Sequence, residues 1–226
     1  GEILGMFGLM GSGRSELARI LFGIDPYQRG VISRRGRPVK APSPGKSIED
    51  RIAFVTEDRR DEGLLMEASV LENMALVSLR KYAGGGQFVE RRRVAASVGR
   101  IAESLKIKAD RFEIQPAKNL SGGNQQKVVI GKWLLAEPEV LILDEPTRGI
   151  DVGAKYEIYC IINDLAAAGT AILCISSELE ELIGICDRIL VMSNGEIQGA
   201  FTREEFDEER ILQVAFKGHK AHEQIG

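Results

Sequence analysis

The stretch Gly8-Leu-Met-Gly-Ser-Gly-Arg-Ser15 lies between an apolar run, Glu2-Ile-Leu-Gly-Met-Phe7, and a segment with apolar residues at Leu17, Ile20 and Leu21. Apolar residues at that spacing mark one face of a helix, so the order reads strand, glycine loop, helix. The glycines let backbone N–H groups converge on phosphate oxygens, and the start of the following helix adds its positive end. Gly8, Gly11, Ser12, Gly13 and Glu16 therefore fall in or beside a phosphate cradle, with the Ser15 hydroxyl placed to hold Mg2+. Arg14 stands where such a loop usually has lysine. A guanidinium keeps the charge but is wide and planar, whereas an ammonium is a compact point charge that fits between two phosphates. Nucleotide binding is expected to survive the exchange. Transition-state stabilisation is expected to suffer by ~3 kcal/mol, on the order of a hundredfold in rate. The alternative reading of the stretch taken alone is a plain strand-to-helix turn with no ligand.

Working outward, Arg51 to Thr56 reads as a second buried strand, preceded by an Arg, Gly and Pro-rich segment that suggests a hairpin and loop. From about Ser69 to Lys106 the pattern is helical, interrupted at Gly84-Gly85-Gly86, and a further helix is expected over Asn124 to Ala136. Apolar strands are expected at Val140 to Leu143, Thr170 to Ser176, Arg188 to Met192 and Ile197 to Phe201. Helices are expected at about Val152 to Ala168 and Glu178 to Ile185, with a turn at Ser193-Asn-Gly-Glu196 and a polar, frayed tail from Gly218. This alternation predicts an α/β fold with a mostly parallel sheet.

Two further stretches carry chemistry. Leu141-Ile-Leu-Asp-Glu-Pro146 ends a strand in two carboxylates. At that strand end Asp144 can reach the metal shell opposite the glycine loop, and Glu145 can polarise an attacking water. The segment Leu120-Ser-Gly-Gly-Asn-Gln-Gln-Lys127 opens a helix with free N–H groups and a hydroxyl, a second anion-binding surface. Alone, the first reads as an ordinary strand end, and the second has a capped helix start as its alternative.

The 226 residues carry 30 Lys and Arg against 33 Asp and Glu, a formal net charge of −3. That balance excludes a nucleic-acid binder relying on bulk charge. The longest apolar runs, such as Ala171 to Ile175, fall far short of a membrane span, and no Arg-rich leader or secretory h-region opens the chain, so a membrane role is expected to come through a partner. Cys160, Cys174 and Cys186 sit in apolar periodic segments, a pattern that suits a reducing cytoplasm better than a disulfide framework.

Taken together, these motifs resemble the nucleotide-binding domain of ATP-binding cassette (ABC) transporters over about Glu2 to Phe216. Gly8 to Ser15 is similar to the family's Walker A loop, Leu141 to Glu145 to Walker B, and Leu120 to Gln125 to the signature. The resemblance implies a P-loop (RecA-like) core at residues 1–65 and 128–217, a helical subdomain at about 66–127, and antiparallel N-terminal strands missing or truncated. It also implies that the chain is a piece of a longer polypeptide. In the family, two such domains sandwich two ATP molecules, each held by one domain's Walker motifs and the other's signature. Ser121, Gly122, Gly123 and Gln125 are thereby candidate contacts to a partner's nucleotide, and Asp151 resembles the D-loop aspartate at the dimer seam. Asp151 also reads as a cap for the helix beginning near Val152.

The chain departs from the family pattern in three places. Arg14 replaces the lysine, Glu57 stands where a metal-contacting glutamine is usual, and Ser177 stands where a histidine usually meets the γ-phosphate. The chain's two histidines, His219 and His222, lie in the tail. With Glu57 to Arg60, Leu120 to Lys127 and Pro146 to Asp151, these departures resemble the second cassette of tandem ATPases for bacterial monosaccharide import, of ribose, galactose and xylose types. The implied function is ATP binding and hydrolysis powering sugar import, with a degenerate site here using Arg14, Ser15, Glu57, Asp144, Glu145 and Ser177. A non-hydrolysing ATP-binding module of the same assembly is the alternative. The implied cofactors are ATP and Mg2+. The implied partners are a first cassette, transmembrane permease subunits docking near Glu57 to Met66, and indirectly a periplasmic sugar-binding protein. The implied location is peripheral, at the cytoplasmic face of the inner membrane. A DNA-repair or chromosome-organising ATPase shares this core but needs long coiled-coil insertions, and none is seen.

Overall fold

Apolar strands alternating with helices assemble one six-stranded sheet in the computed structural model, which describes residues 1–39, 42–83 and 89–223, with side chains as far as residue 217. The chain divides into two compact units. The first comprises residues 1–54, 139–145 and 163 onward. It contains β1 (Ile3–Gly8), α1 (Arg14–Phe22), the short hairpin β2 (Ser33–Arg34) and β3 (Arg37–Pro38), and α2 (Pro44–Glu49). Next come most of β4 (Ile52–Val55), β5 (Val140–Asp144), β6 (Ala171–Ser176), α7 (Leu179–Ile185), β7 (Arg188–Ser193), β8 (Glu196–Thr202) and α8 (Glu208–Glu223).

The strand order is β4-β5-β6-β1-β7-β8. β1 is parallel to both β6 and β7, β5 is parallel to β6, and β7 turns back into β8 as an antiparallel hairpin. Asn194 and Gly195 both have positive φ in that turn, the conformation a two-residue hairpin needs to match strand twist. Met6, Phe7, Leu141, Leu143, Ile172, Ile175, Ile189 and Val191 are almost wholly buried, as parallel strands covered on both faces must be. Register places Asp144 beside Ile175, and Ile175 beside Met6. The carboxyl ends of three strands therefore meet where the glycine loop begins, the position at which open parallel sheets bind ligands.

The second unit comprises residues 55–138 and 146–162. In it α3 (Val70–Ala75), α4 (Arg91–Ser104) and α5 (Gly122–Leu134) pack around Val70, Met74, Val98, Val128 and Ile130. The helix α6 (Val152–Ala167) begins in this unit. The expected border between residues 127 and 128 falls inside α5, which runs as one helix against α3 and α4. A side chain at Gly131 would strike Met74 Cε at 2.7 Å, a measure of how closely the helices approach. Buried Asn73 donates to the carbonyls of Leu65 and Ser69 and accepts from Leu65 N at 2.8 Å, which fixes the segment before α3.

Among the described residues five helical pieces go beyond the sequence reading: α2, a π-helical turn at Arg59–Gly63, 3-10 turns at Ala117–Asn119 and Arg203–Glu205, and α8. The last carries the helix through Glu223, past the Gly218 at which fraying is expected. Ile211 and Ala215, one helical turn apart, are fully buried and anchor it beside β7 and β8. The expected break at Gly84-Gly85-Gly86 lies outside the described residues, as do the side chains of His219 and His222. Among the described residues no helix is long and apolar enough to cross a membrane.

Candidate nucleotide site

The loop between β1 and α1 is shaped by what presses on it. A Cβ at Gly8 would lie 2.4 Å from the Met192 carbonyl oxygen, and one at Gly13 would lie 3.1 Å from Met192 Cε. Gly13 also has φ +95°. The hairpin tip holds the loop from the same side, Gly195 N donating to Ser12 O at 2.9 Å. Gly13 offers α1 no side-chain cap, so the N–H groups of its first turn point into the loop without a capping oxygen. Ser12 Oγ is buried and has no hydrogen-bond partner among the described residues, a donor suited to a phosphate oxygen. Gly11 and Glu16 are exposed at the rim.

Across from this loop, Asp144 is 2% exposed at the end of β5. It accepts a hydrogen bond from the Ser15 hydroxyl, while its Oδ1 is buried with no partner among the described residues. Burial raises its carboxyl to about 6, opposed by the Ser15 bond and by Arg14. An orphaned carboxylate oxygen beside a serine hydroxyl is a hard-oxygen pair that fits Mg2+, which takes few protein ligands and completes its shell with phosphate and water. Among the described residues no group of three or more His, Cys, Asp or Glu gathers as a metal cage.

Glu145 has φ +47°, a left-handed conformation unusual for a residue with a side chain. Its N–H donates to Ile175 O at 3.0 Å. The carboxylate accepts from the Ser177 hydroxyl and N–H, and lies 3.4 Å from Arg14 Nη2. Burial pushes this carboxyl upward, with Ser177 and Arg14 opposing. Arg14 is itself buried and bent back, Nη1 donating to the carbonyls of Gly8 and Ser176. Burial lowers its pKa, and Glu145, Asp144 and Glu16 oppose that. The first unit thus brings Gly8, Ser12, Gly13, Arg14, Ser15, Asp144, Glu145 and Ser177 to one place.

The second unit carries the remaining expected residues. Ser121 is exposed and caps α5, its hydroxyl accepting from Asn124 N at 3.4 Å and from Asn124 Nδ2 at 2.9 Å. A Cβ at Gly123 would lie 2.5 Å from Ala154 Cβ, so α5 passes the start of α6 there with no room for a side chain. Asp151 caps α6 by accepting from Ala154 N at 3.0 Å. Gln125 is turned inward, its Nε2 donating to Ala117 O and Leu120 O, both at 3.2 Å. Glu57 pairs with Arg148. The sequence reading missed Arg59, which donates to Arg148 O at 2.8 Å and Gly149 O at 3.0 Å. Its two shorter bonds go to backbone carbonyls, which leave no trace in a sequence pattern.

A family model described as ABC transporter matches residues 1–148. The chain is 49% identical over 98% of its length to a ribose import ATP-binding protein of Rubrobacter xylanophilus, covering 44% of that protein. It is 48% identical over 97% of its length to a putative ribose/galactose/methyl galactoside import ATP-binding protein of Rhizobium etli, covering 41% of it. The chain thus spans less than half the length of the curated relatives it matches. Among solved structures, a nucleotide-free ATP-binding cassette from an ABC transporter aligns with a TM-score of 0.79 at 24% identity, over 94% of this chain and 84% of that one. A dimeric cassette in a post-hydrolysis state bound to ADP and Pi aligns with a TM-score of 0.76 at 22% identity, over 91% of this chain and 87% of that one. At these identities the likeness is one of fold.

Proposed function

The chain belongs to the ABC transporter family, and from that premise we propose that it binds MgATP as a slow-turnover cassette and lends its signature to the site of a second cassette. The glycine loop and the α1 start receive the phosphates. Ser15 and Asp144 hold Mg2+, whose chemistry there is to neutralise phosphate charge. A metal role for Glu57 requires its release from Arg148. Ser121, Gly122 and Gly123, with Asp151 nearby, face the nucleotide held by the partner's Walker motifs. The extra length of the relatives supports a polypeptide with room for both cassettes.

One observation carries the unequal-site reading, the commitment of Arg14 to Glu145. A general base works through a lone pair free to take a proton. Here the carboxylate is already engaged by Arg14 and twice by Ser177. With a cation and two Ser177 donors on it, the carboxylate keeps little acceptor capacity and little basicity for orienting water, so in this reading hydrolysis at this site is slow. Relatives named for ribose and for ribose/galactose/methyl galactoside import support a monosaccharide as the cargo of the whole assembly. In that reading permease subunits dock near Glu57 to Met66 and the cassette lies peripherally at the cytoplasmic face of the membrane, with a periplasmic sugar-binding protein as the indirect partner.

Titration of a fluorescent ATP analogue with Mg2+ into the chain, beside Asp144→Asn and Ser12→Val, tests the binding half. Saturable binding, weakened in both variants, is expected. Equal signals from all three proteins would remove the nucleotide from this loop.

A further inference from the structure

Arg59 lies two residues beyond Glu57, at the first position of the π-helical turn Arg59–Gly63. Both ends of that turn are pinned. Asp58 accepts from the N–H groups of Arg60 and Asp61 at 2.8 and 3.1 Å, and Lys132 Nζ donates to Gly63 O at 2.6 Å. From this fixed base the guanidinium reaches the 148–149 turn and bridges two successive carbonyls, with Nε 3.5 Å from Gln125 Oε1. A planar fork can span two acceptors in this way, and a lysine ammonium cannot reproduce it. The signature loop leaves room for the fork. A Cβ at Gly122 would lie 3.0 Å from Arg59 Nη2 and 3.4 Å from Gly149 O. The ion pair between Glu57 and Arg148 ties the same two segments a second time.

We propose that Arg59 is a positioning residue that locks the 148–151 turn to the signature loop, so that Ser121, Gly122, Gly123 and Asp151 form one preset surface for the partner cassette's nucleotide. This rests on the two-cassette reading above and adds to it a residue that touches no nucleotide. Arg59 acts through Gly149 and Gln125. It also lies within the segment assigned to permease docking, so movement of that segment shifts the surface offered to the partner.

The test uses the full-length protein assembled with its permease, carrying Arg59→Ala or Arg59→Lys. Hydrolysis kinetics, binding of a fluorescent ATP analogue, thermal melting and amide hydrogen exchange are read on each. The expected result is a fall in kcat on the order of tenfold to a hundredfold in both variants, since small misplacements of a reacting geometry carry such penalties. KM, analogue binding and the melting temperature stay near wild type, while exchange quickens at residues 147–152 and 120–124. Unchanged kcat, or unchanged exchange there, overturns the proposal. Loss of kcat, binding and melting temperature together assigns Arg59 to general fold support and overturns it as well. A wild-type protein that binds no analogue removes the two-cassette reading and this inference with it, whereas normal wild-type turnover with an indifferent Arg59 removes the inference alone.

Discussion

Arg14 Nη2 and Glu145 Oε1 face each other at 3.4 Å, with only 9% and 11% of their side chains open to solvent. Each group is costly to bury alone, and each is the other's charge partner. In the proposed reading Arg14 stands where a lysine would meet phosphate, and Glu145 where a base would meet water. On that reading their pairing ties the two functions together, and nucleotide competes with Glu145 for Arg14.

Arg14→Lys is the direct intervention. An ammonium is too compact to reach Gly8, Ser176 and Glu145 at once, so the base is freed and the loop gains a point charge for phosphate. Phosphate release is expected to rise by about tenfold or more, and further with Ser177→His. Release unchanged in Arg14→Lys would place the limit elsewhere.

Asp144 makes stability depend on pH. Its carboxyl is raised from 3.8 to about 6, so between those values the folded chain holds a proton that the unfolded chain has lost. The contribution is present in full below pH 3.8 and is lost as pH rises through about 6, on the order of 3 kcal/mol. Without nucleotide or metal, Asp144→Asn is expected to melt above wild type at pH 7, with the difference closing toward pH 4. Parallel melting curves across that range would contradict the assignment.

Much of the fold is legible because each strand is a short apolar run bounded by a turn or a helix start. Val140 to Leu143 is the clearest case, and all but one of its residues are buried. The segment after β8 is legible only in part. Ile211 and Ala215 mark a helix face, but apolar Leu212, Val214 and Phe216 beside them blur its period. At the site, the glycine loop and the two carboxylates follow from spacing alone. The grip of Ser177 on Glu145 and of Arg59 on the 148–149 carbonyls does not, because it joins residues about 30 and 90 positions apart through contacts that any donor could make.

Gly123 is constrained by Ala154. Gly123→Ala puts a methyl group 2.5 Å from Ala154 Cβ and should destabilise the chain by about 1–3 kcal/mol in urea unfolding. Adding Ala154→Gly should recover part of that loss, although glycine in a helix costs about 1 kcal/mol itself. Additive losses in the double variant would show that the two residues do not press on each other.

Lys132 gives a slope of the opposite sign at high pH. Burial lowers its ammonium from 10.5 to about 8. Between those values the unfolded chain binds the extra proton, so stability should rise as pH climbs from about 8 toward 10.5. Lys132→Met should abolish that part of the rise in melts taken from pH 7 to 10. A variant that keeps the full slope would trace it to other groups.

The most direct measurement is steady-state phosphate release from the chain saturated with MgATP, beside Glu145→Gln, carried to concentrations at which two copies can pair. With nucleotide binding verified in both, the account predicts that wild type releases phosphate no faster than the variant. Release well above Glu145→Gln would mean that Glu145 works as a base despite Arg14 and Ser177, and the two sites would no longer be unequal on this chain's account.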